Sequence, residues 1–517
     1  MLPTEKAFLA ALPSDLSIDL DLEALLNASG DVFSLSAYRP FAILVPTKVE
    51  QVQQIWMLGE KYSIALINRG AGLSYTHGAV PSMPGMAVLD LTKMDSIGIP
   101  QQLDRFISVE SGATWKAVDD ALANTGLRLA LSPPISGAVS TIGGALAQGL
   151  PTGLEAVIGV DIVTPQGAFI EIGPGHFGEG QCGGHRMMGA DLLGLFIGTG
   201  GIFGTIVRAH LRLEPIPQAT AFRSYAVQDL NASAELITEM SLLTGRIRLT
   251  AMPVRREADL AQVPVKNKIT TAFKTLQGSG GARDLFQRLC SLAQLAFRRV
   301  KIQDKSACVH VIIEAGSAEE AARVASLADA VALNRAAIQV SAALPAIMHS
   351  SPYSLRGMLG PVGQRWVPVH AIGALSQLGI YASVTAQFFE KKQSELQLNG
   401  VETSWLIMAW PGKCAVLEPM FMWKAPLLPV HKYAGSVFDR VNLEWTKETL
   451  ESTELVAQFR AELVSELDGM GAVHVQLGQS YPYKSRLSGP AEKLIHSIKT
   501  QLDPSSLASP GNLGFLK

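Results

Sequence analysis

Two glycine-rich runs in the first half of the chain carry the most specific chemistry: Arg69-Gly-Ala-Gly-Leu-Ser-Tyr-Thr-His-Gly78 and Ser140-Thr-Ile-Gly-Gly-Ala-Leu-Ala-Gln-Gly149. Each follows a stretch that reads as a strand, and each is expected to bare a row of backbone N–H groups. Glycine permits left-handed turns and close approach, so such concavities hold phosphate oxygens. A third run, Asp191-Leu-Leu-Gly-Leu-Phe-Ile-Gly-Thr-Gly-Gly-Ile-Phe-Gly204, leads into an alternating strand over 205–213 and stops at Glu214-Pro215. The second half supplies residue types that handle protons and carboxylates: Arg356, Arg365, His370, His474, Tyr481 and Tyr483. A histidine takes a proton near neutral pH. An arginine fork grips a carboxylate with two parallel bonds.

In this order and at these distances the three runs resemble the flavoproteins with a p-cresol methylhydroxylase-type (PCMH-type) FAD domain, the vanillyl-alcohol oxidase superfamily. Arg69 to Ser74 is similar to the family's Arg-Gly-x-Gly-Thr-Ser pyrophosphate loop, and Ser140 to Ala147 to its Thr-Ile-Gly-Gly-x-x-Ala segment. Leu195 to Gly204 is similar to its Phe-x-Gly-Ser-x-Gly-x-x-Gly segment. The resemblance covers roughly residues 36–217. It implies FAD held by Arg69, Gly70, Ala71, Gly72, Leu73, Ser74 and Gly78, by Pro134, Ser140, Thr141, Gly143, Gly144 and Ala147, and by Gly204 and Ile206. Relatives that attach FAD through the first loop carry a His where this chain has Leu73; His77 lies four residues on. Non-covalent FAD is the expectation.

The resemblance weakens in the second half but continues. Gly363-Gln-Arg-Trp-Val-Pro-Val-His-Ala-Ile372 and Val416-Leu-Glu-Pro-Met-Phe-Met-Trp423 are similar to segments of FAD-linked D-2-hydroxyacid dehydrogenases of the D-lactate type. Gly471-Ala-Val-His-Val-Gln-Leu-Gly-Gln-Ser-Tyr-Pro-Tyr483 stands where such enzymes bring a strand against the flavin. Leu502-Asp-Pro-Ser-Ser-Leu-Ala-Ser-Pro-Gly511 is similar to the family's closing segment, with Ser509 in place of its usual Asn. The implied chemistry is hydride transfer from a substrate alcohol to flavin N5. His474 or His370 is then the base or the flavin N1 partner, Arg365 or Arg356 the carboxylate ligand, with Tyr481 or Tyr483 beside them. Each has a plainer reading. His370 amid Val, Pro, Ala and Ile also describes a packed core residue, and Arg365 a salt bridge. Metal-holding relatives use a Gly-Asp-Gly-Asn loop and a Glu-His pair; this chain lacks the loop and has Val473 before His474, so no metal is expected. Cys182-Gly-Gly-His185 alone falls short of the three or four ligands that a zinc site needs.

Gly173-Pro-Gly-His-Phe-Gly178 fits the dinucleotide fingerprint as a string, yet Pro174 and the glycines that follow forbid the helix that must begin there. It reads as a loop. A formal charge of −2 gives no global attraction to nucleic acid. Four dispersed cysteines read as thiols in a reducing compartment. No apolar window reaches the ~18 residues of a membrane span. With no signal-like start, the expectation is a cytoplasmic protein, peripheral at a membrane if attached at all.

The fold class expected is α+β: a helical segment over 1–35, a two-subdomain PCMH-type FAD-binding domain over 36–217, an α+β substrate (cap) domain with an antiparallel sheet over 218–500, and a tail over 501–517 that returns to the FAD domain. Helices are expected over 49–61 and over 115–126, the second closed by Gly126. Strands are expected over 159–164, 168–172 and 307–314, followed by a helix over 318–334. Residues 246–305 carry thirteen Lys and Arg against four acids, and 284–299 reads as a basic amphipathic helix. Such a helix suits an anionic bilayer or an acidic redox partner, and equally a solvated surface. Three functions follow: a 2-hydroxyacid dehydrogenase passing electrons to a quinone, cytochrome or other acceptor; a 4-alkylphenol or benzylic alcohol oxidase; or a flavin-binding electron-transfer subunit. The substrate is a small molecule, a hydroxy acid or a phenolic alcohol. A homodimer is compatible with all three.

Overall fold

The computed structural model describes residues 1–149, 154–173, 186, 189–254, 306–353, 355–360, 363–431 and 450–515. It divides into two compact units. The first comprises Met1–Ile216, Leu427–Gly435 and His474–Lys517, the second Pro217–Pro426 and Ser436–Val473. The glycine stretch after Gly173, the Cys182–His185 pair and the basic stretch from 255 to 305 lie outside the described residues.

The first unit holds two sheets. In the smaller, Ile43–Val45, Met86–Asp90 and Ala65–Arg69 run parallel, with Ser17–Asp19 antiparallel on one edge. The helix Val49–Tyr62 makes the crossover between the first and third of these strands. Its apolar residues Val52, Ile55 and Trp56 are wholly buried against Leu44, Leu66 and Leu89, as a 3.6-residue period facing a sheet requires. The larger sheet is antiparallel and sets Thr205–Pro215 between Phe106–Glu110 and Val157–Val163, with Phe169–Ile172 outside. Three side chains stitch the sheets together: Trp56 Nε1 donates to Thr205 Oγ1 (2.9 Å), which donates to Asn68 Oδ1 (2.7 Å).

The second unit is built on one antiparallel sheet. Its strand order is Ile338–Gln339, Ala219–Val227, Ala307–Ala315, Arg246–Pro253, Glu402–Trp410, Cys414–Trp423, Arg365–Pro368. Ala371–Gly373 also pairs with Cys414–Trp423. The helices Leu230–Met240, Ala318–Asn334 and Leu378–Leu398 supply its cover.

The C-terminal segment closes the first unit. Ser509 N–H donates to Leu66 O (2.8 Å) and Leu66 N–H to Leu507 O (2.9 Å), so the tail extends the edge strand Ala65–Arg69 in parallel. That covers an edge which would otherwise expose a row of unpaired backbone groups. Asp503 accepts from the N–H groups of Leu507 and Ala508 (2.9 Å each) and pairs with buried Lys499. Burial pulls the Lys499 ammonium below the usual lysine range, against the pull of Asp503. The chain returns to this unit briefly at Leu427–Gly435 and again from His474, ahead of residue 501.

Two local expectations are corrected. The helix Trp115–Leu122 stops short of Gly126, because Asn124 already takes a left-handed φ of 68°. Residues 471–483 form turns rather than a strand; Gln476 and Gly478 have φ of 56° and 48°, and only Val473 makes a bridge.

Candidate functional site

The first glycine run leaves the strand Ala65–Arg69 and is pinned by the arginine at its start. Arg69 donates to the carbonyls of Asn27 (3.2 Å), Ala28 (3.4 Å), Gly30 (3.0 Å) and Ala79 (3.0 Å). The first three stand at the C-terminal end of the helix Leu22–Ala28, where unpaired carbonyls and the helix dipole attract a cation. Gly72 lies against that guanidinium: its φ is 73°, and a Cβ there would sit 2.3 Å from Arg69 Nη2. The far end is held by buried Asp31, which accepts from His77 N–H (2.7 Å).

Between these anchors, the backbone N–H groups of Gly70, Ala71, Gly72, Leu73 and Ser74 have no hydrogen-bond partner among the described residues. All five residues line one cavity. Backbone N–H groups unpaired within the protein and lining a cavity are available to an acceptor placed in it. Among the described residues the lining contains Arg69 and no Asp or Glu, so no carboxylate there repels an anion.

The second run has a different task, which corrects the expectation that it too bares its N–H groups. Ile142 N–H donates to Ala113 O (2.9 Å), Gly143 N–H to Ser111 O (2.8 Å) and Gly144 N–H to Thr141 Oγ1 (3.3 Å). Its glycines provide close approach instead: a Cβ on Gly143 would stand 2.5 Å from Ser111 Cβ. The third run caps the second. Gly198 and Gly200 donate to the carbonyls of Leu146 (2.9 Å) and Ala147 (2.8 Å), at the end of the short helix Ile142–Ala147. Asn512 from the tail then donates to Gly78 O (2.9 Å) and Gly200 O (2.6 Å), joining the first and third runs.

The cavity brings together Arg69, Gly70, Ala71, Gly72, Leu73, Ser74, Gly78, Pro134, Ser140, Thr141, Gly143, Gly144, Ala147, Gly204 and Ile206. It adds residues that sequence reasoning missed, among them Ser111, Gln148, Val475 and Gln476. Gln476 lies two residues from His474 within a segment already singled out; Gln148 has no signal beyond its place in the second run. His77 is absent from the lining, and its ring meets Ser34 Oγ (2.7 Å).

The residues expected to do chemistry fall in both units. In the first, the His474 ring stacks on Tyr481, centroids 4.4 Å apart and planes 6° from parallel. Tyr483 follows, its phenol pushed up by burial. In the second, His370 Nε2 lies 3.6 Å from Glu418 Oε1. Arg365 is buried on the ring of Trp423 (5.1 Å) and donates to Pro426 O (3.3 Å). Arg356 lies in the single turn Leu355–Met358.

A cradle of unpaired N–H groups at the end of a parallel strand, with no acid among the described lining residues, is the kind of site that holds the diphosphate of a nucleotide. Residues 40–173 match the family described as FAD binding domain, and they are a PCMH-type FAD-binding domain. The chain is 26% identical over 185 residues to a protein of Danio rerio described as "Probable D-lactate dehydrogenase, mitochondrial", covering 35% of this chain and 36% of that protein. It is 29% identical over 185 residues to the D-lactate dehydrogenase of Archaeoglobus fulgidus, covering 34% and 39%. The matched part thus spans well under half the length of these relatives. Among solved structures, p-cresol methylhydroxylase with substrate bound has the same fold, with a TM-score of 0.69 and 17% identity over 99% of this chain and 96% of that one.

Proposed function

We propose that the chain is an FAD-dependent oxidoreductase that oxidises a small 2-hydroxy acid of the D-lactate type and passes the electrons to a separate acceptor. The observation that carries this reading is the acid-free cavity with five consecutive unpaired N–H groups in the FAD-binding domain. The names of the D-lactate dehydrogenase relatives support the substrate class.

When bound, FAD supplies a two-electron acceptor for the hydride of the substrate C–H bond. The chain's own residues have the remaining tasks. The Gly70–Ser74 N–H groups hold the diphosphate. A histidine takes the hydroxyl proton as the carbonyl forms; His474, held flat on Tyr481, and His370, beside Glu418, are the candidates. Arg365, fixed in orientation by Trp423, or Arg356 binds the substrate carboxylate. Attachment of the flavin is non-covalent: Leu73 offers no nucleophile on the first loop, and His77 is engaged with Ser34 outside the cavity lining. Among the described residues no helix is long and apolar enough to cross a membrane. The basic stretch 246–305 is the segment through which we place contact with an acidic acceptor or an anionic surface.

Turnover with an artificial dye acceptor tests the substrate class. Activity on D-lactate and other D-2-hydroxyacids, lost in Arg365→Met, supports the reading. Activity confined to 4-alkylphenols overturns it.

A further inference from the structure

Two carboxamides lining the FAD cavity have no hydrogen-bond partner among the described residues. Gln148 follows the helix Ile142–Ala147, and Gln476 enters from the C-terminal segment. Their backbones are joined, Gln476 N–H donating to Gln148 O (3.0 Å), and the Oε1 atom of each side chain is buried and unpaired. Buried polar atoms without partners are rare in folded proteins, and each calls for an explanation. Gln476 also holds a left-handed φ of 56°, which a long side chain seldom adopts. Gly478 two residues on has a φ of 48°, and a Cβ there would lie 2.5 Å from Thr76 O. A non-glycine residue held at such a φ is a feature of sites that pre-organise a ligand contact.

A carboxamide carries an N–H donor beside a C=O acceptor. Its complement is an edge with the same pair in reverse order. The diphosphate and the ribityl hydroxyls lack such an edge. The pyrimidine side of the isoalloxazine has it, with N3–H between two carbonyls, and the adenine has one as well. The proposed function decides between them, and this step rests on it: His474, a candidate proton acceptor, lies two residues from Gln476, and a proton acceptor must stand beside the reacting ring. We propose that Gln476 and Gln148 form a paired-amide clamp that reads the N3–H and carbonyl edge of the flavin, fixing the ring and tuning its potential.

The test uses deflavinated full-length protein titrated with FAD, followed by flavin fluorescence, the visible flavin band and the midpoint potential. Gln476→Gly removes the carboxamide and suits the local backbone, so lost contacts are not confused with strain. It and Gln148→Leu are each expected to weaken FAD about tenfold or more, as loss of hydrogen bonds to a buried edge implies. The visible band shifts, and the potential becomes more negative; a tenfold bias between the two redox forms equals about 30 mV for a two-electron couple. FAD methylated at flavin N3 serves as a probe that needs no variant: the native protein binds it about tenfold more weakly than FAD, and the protein carrying both substitutions binds the two alike. Weaker FAD with an unchanged band and potential would assign the pair to the adenine and overturn the proposal. So would variants indistinguishable from the native protein. A native protein that takes up no FAD would instead contradict the cofactor itself.

Discussion

Gly70 lies so close to Thr141 that a Cβ on the glycine would stand 2.3 Å from the threonine hydroxyl oxygen. The same hydroxyl accepts from Gly144 N–H, so it cannot turn away without uncapping the helix Ile142–Ala147. One contact therefore locks the donor loop to its scaffold.

Gly70→Ala is expected to force these loops apart while leaving both sheets intact. Overpacking of this kind costs about 1–3 kcal/mol, and the strain falls on the cradle. FAD affinity should drop about tenfold to a hundredfold, with the far-ultraviolet circular dichroism unchanged. Calorimetric titration of deflavinated protein measures it; an unchanged affinity would dissociate this contact from the cofactor.

Arg69→Lys probes the clamp at the start of the same loop. A guanidinium reaches four carbonyls, those of Asn27, Ala28, Gly30 and Ala79, whereas an ammonium is a compact point charge. Each carbonyl left unpaired costs about 1–3 kcal/mol. The variant should melt several degrees lower than the native protein, with FAD and without it. Equal melting points would show that the four bonds contribute nothing to stability.

The loops themselves were legible in the sequence, because glycine spacing records where the backbone must turn and approach. The division of labour was not. Whether the N–H groups of a glycine run are available depends on distant carbonyls, here Ala113 and Ser111 for the second run. The joining role of Asn512, which bonds Gly78 O and Gly200 O, depends on contacts across more than three hundred residues. Gln476 escaped notice for a similar reason: a strand was expected over 471–483, and the left-handed turns at Gln476 and Gly478 break it.

The second unit carries a pH-sensitive element within its sheet. His310 is buried, and desolvation pulls its pKa from 6.5 down to about 4. The unfolded chain binds this proton below pH 6.5, and the folded one resists it down to about 4. The stability tied to the neutral ring is whole above pH 6.5 and falls away across that window, by about 3 kcal/mol in total. Urea unfolding at pH 7 and pH 4.5 should show a steeper loss for the native protein than for His310→Gln. Parallel losses would rule His310 out as the source.

Anaerobic addition of D-lactate to the purified protein, followed through the visible flavin band, tests whether a 2-hydroxyacid reduces the bound flavin. The FAD spectrum is expected to bleach rapidly, with one pyruvate formed for each flavin reduced. A flavin spectrum unmoved by every 2-hydroxyacid but bleached by a 4-alkylphenol would contradict the substrate assignment, and protein purified without flavin and unable to take it up would contradict the cofactor.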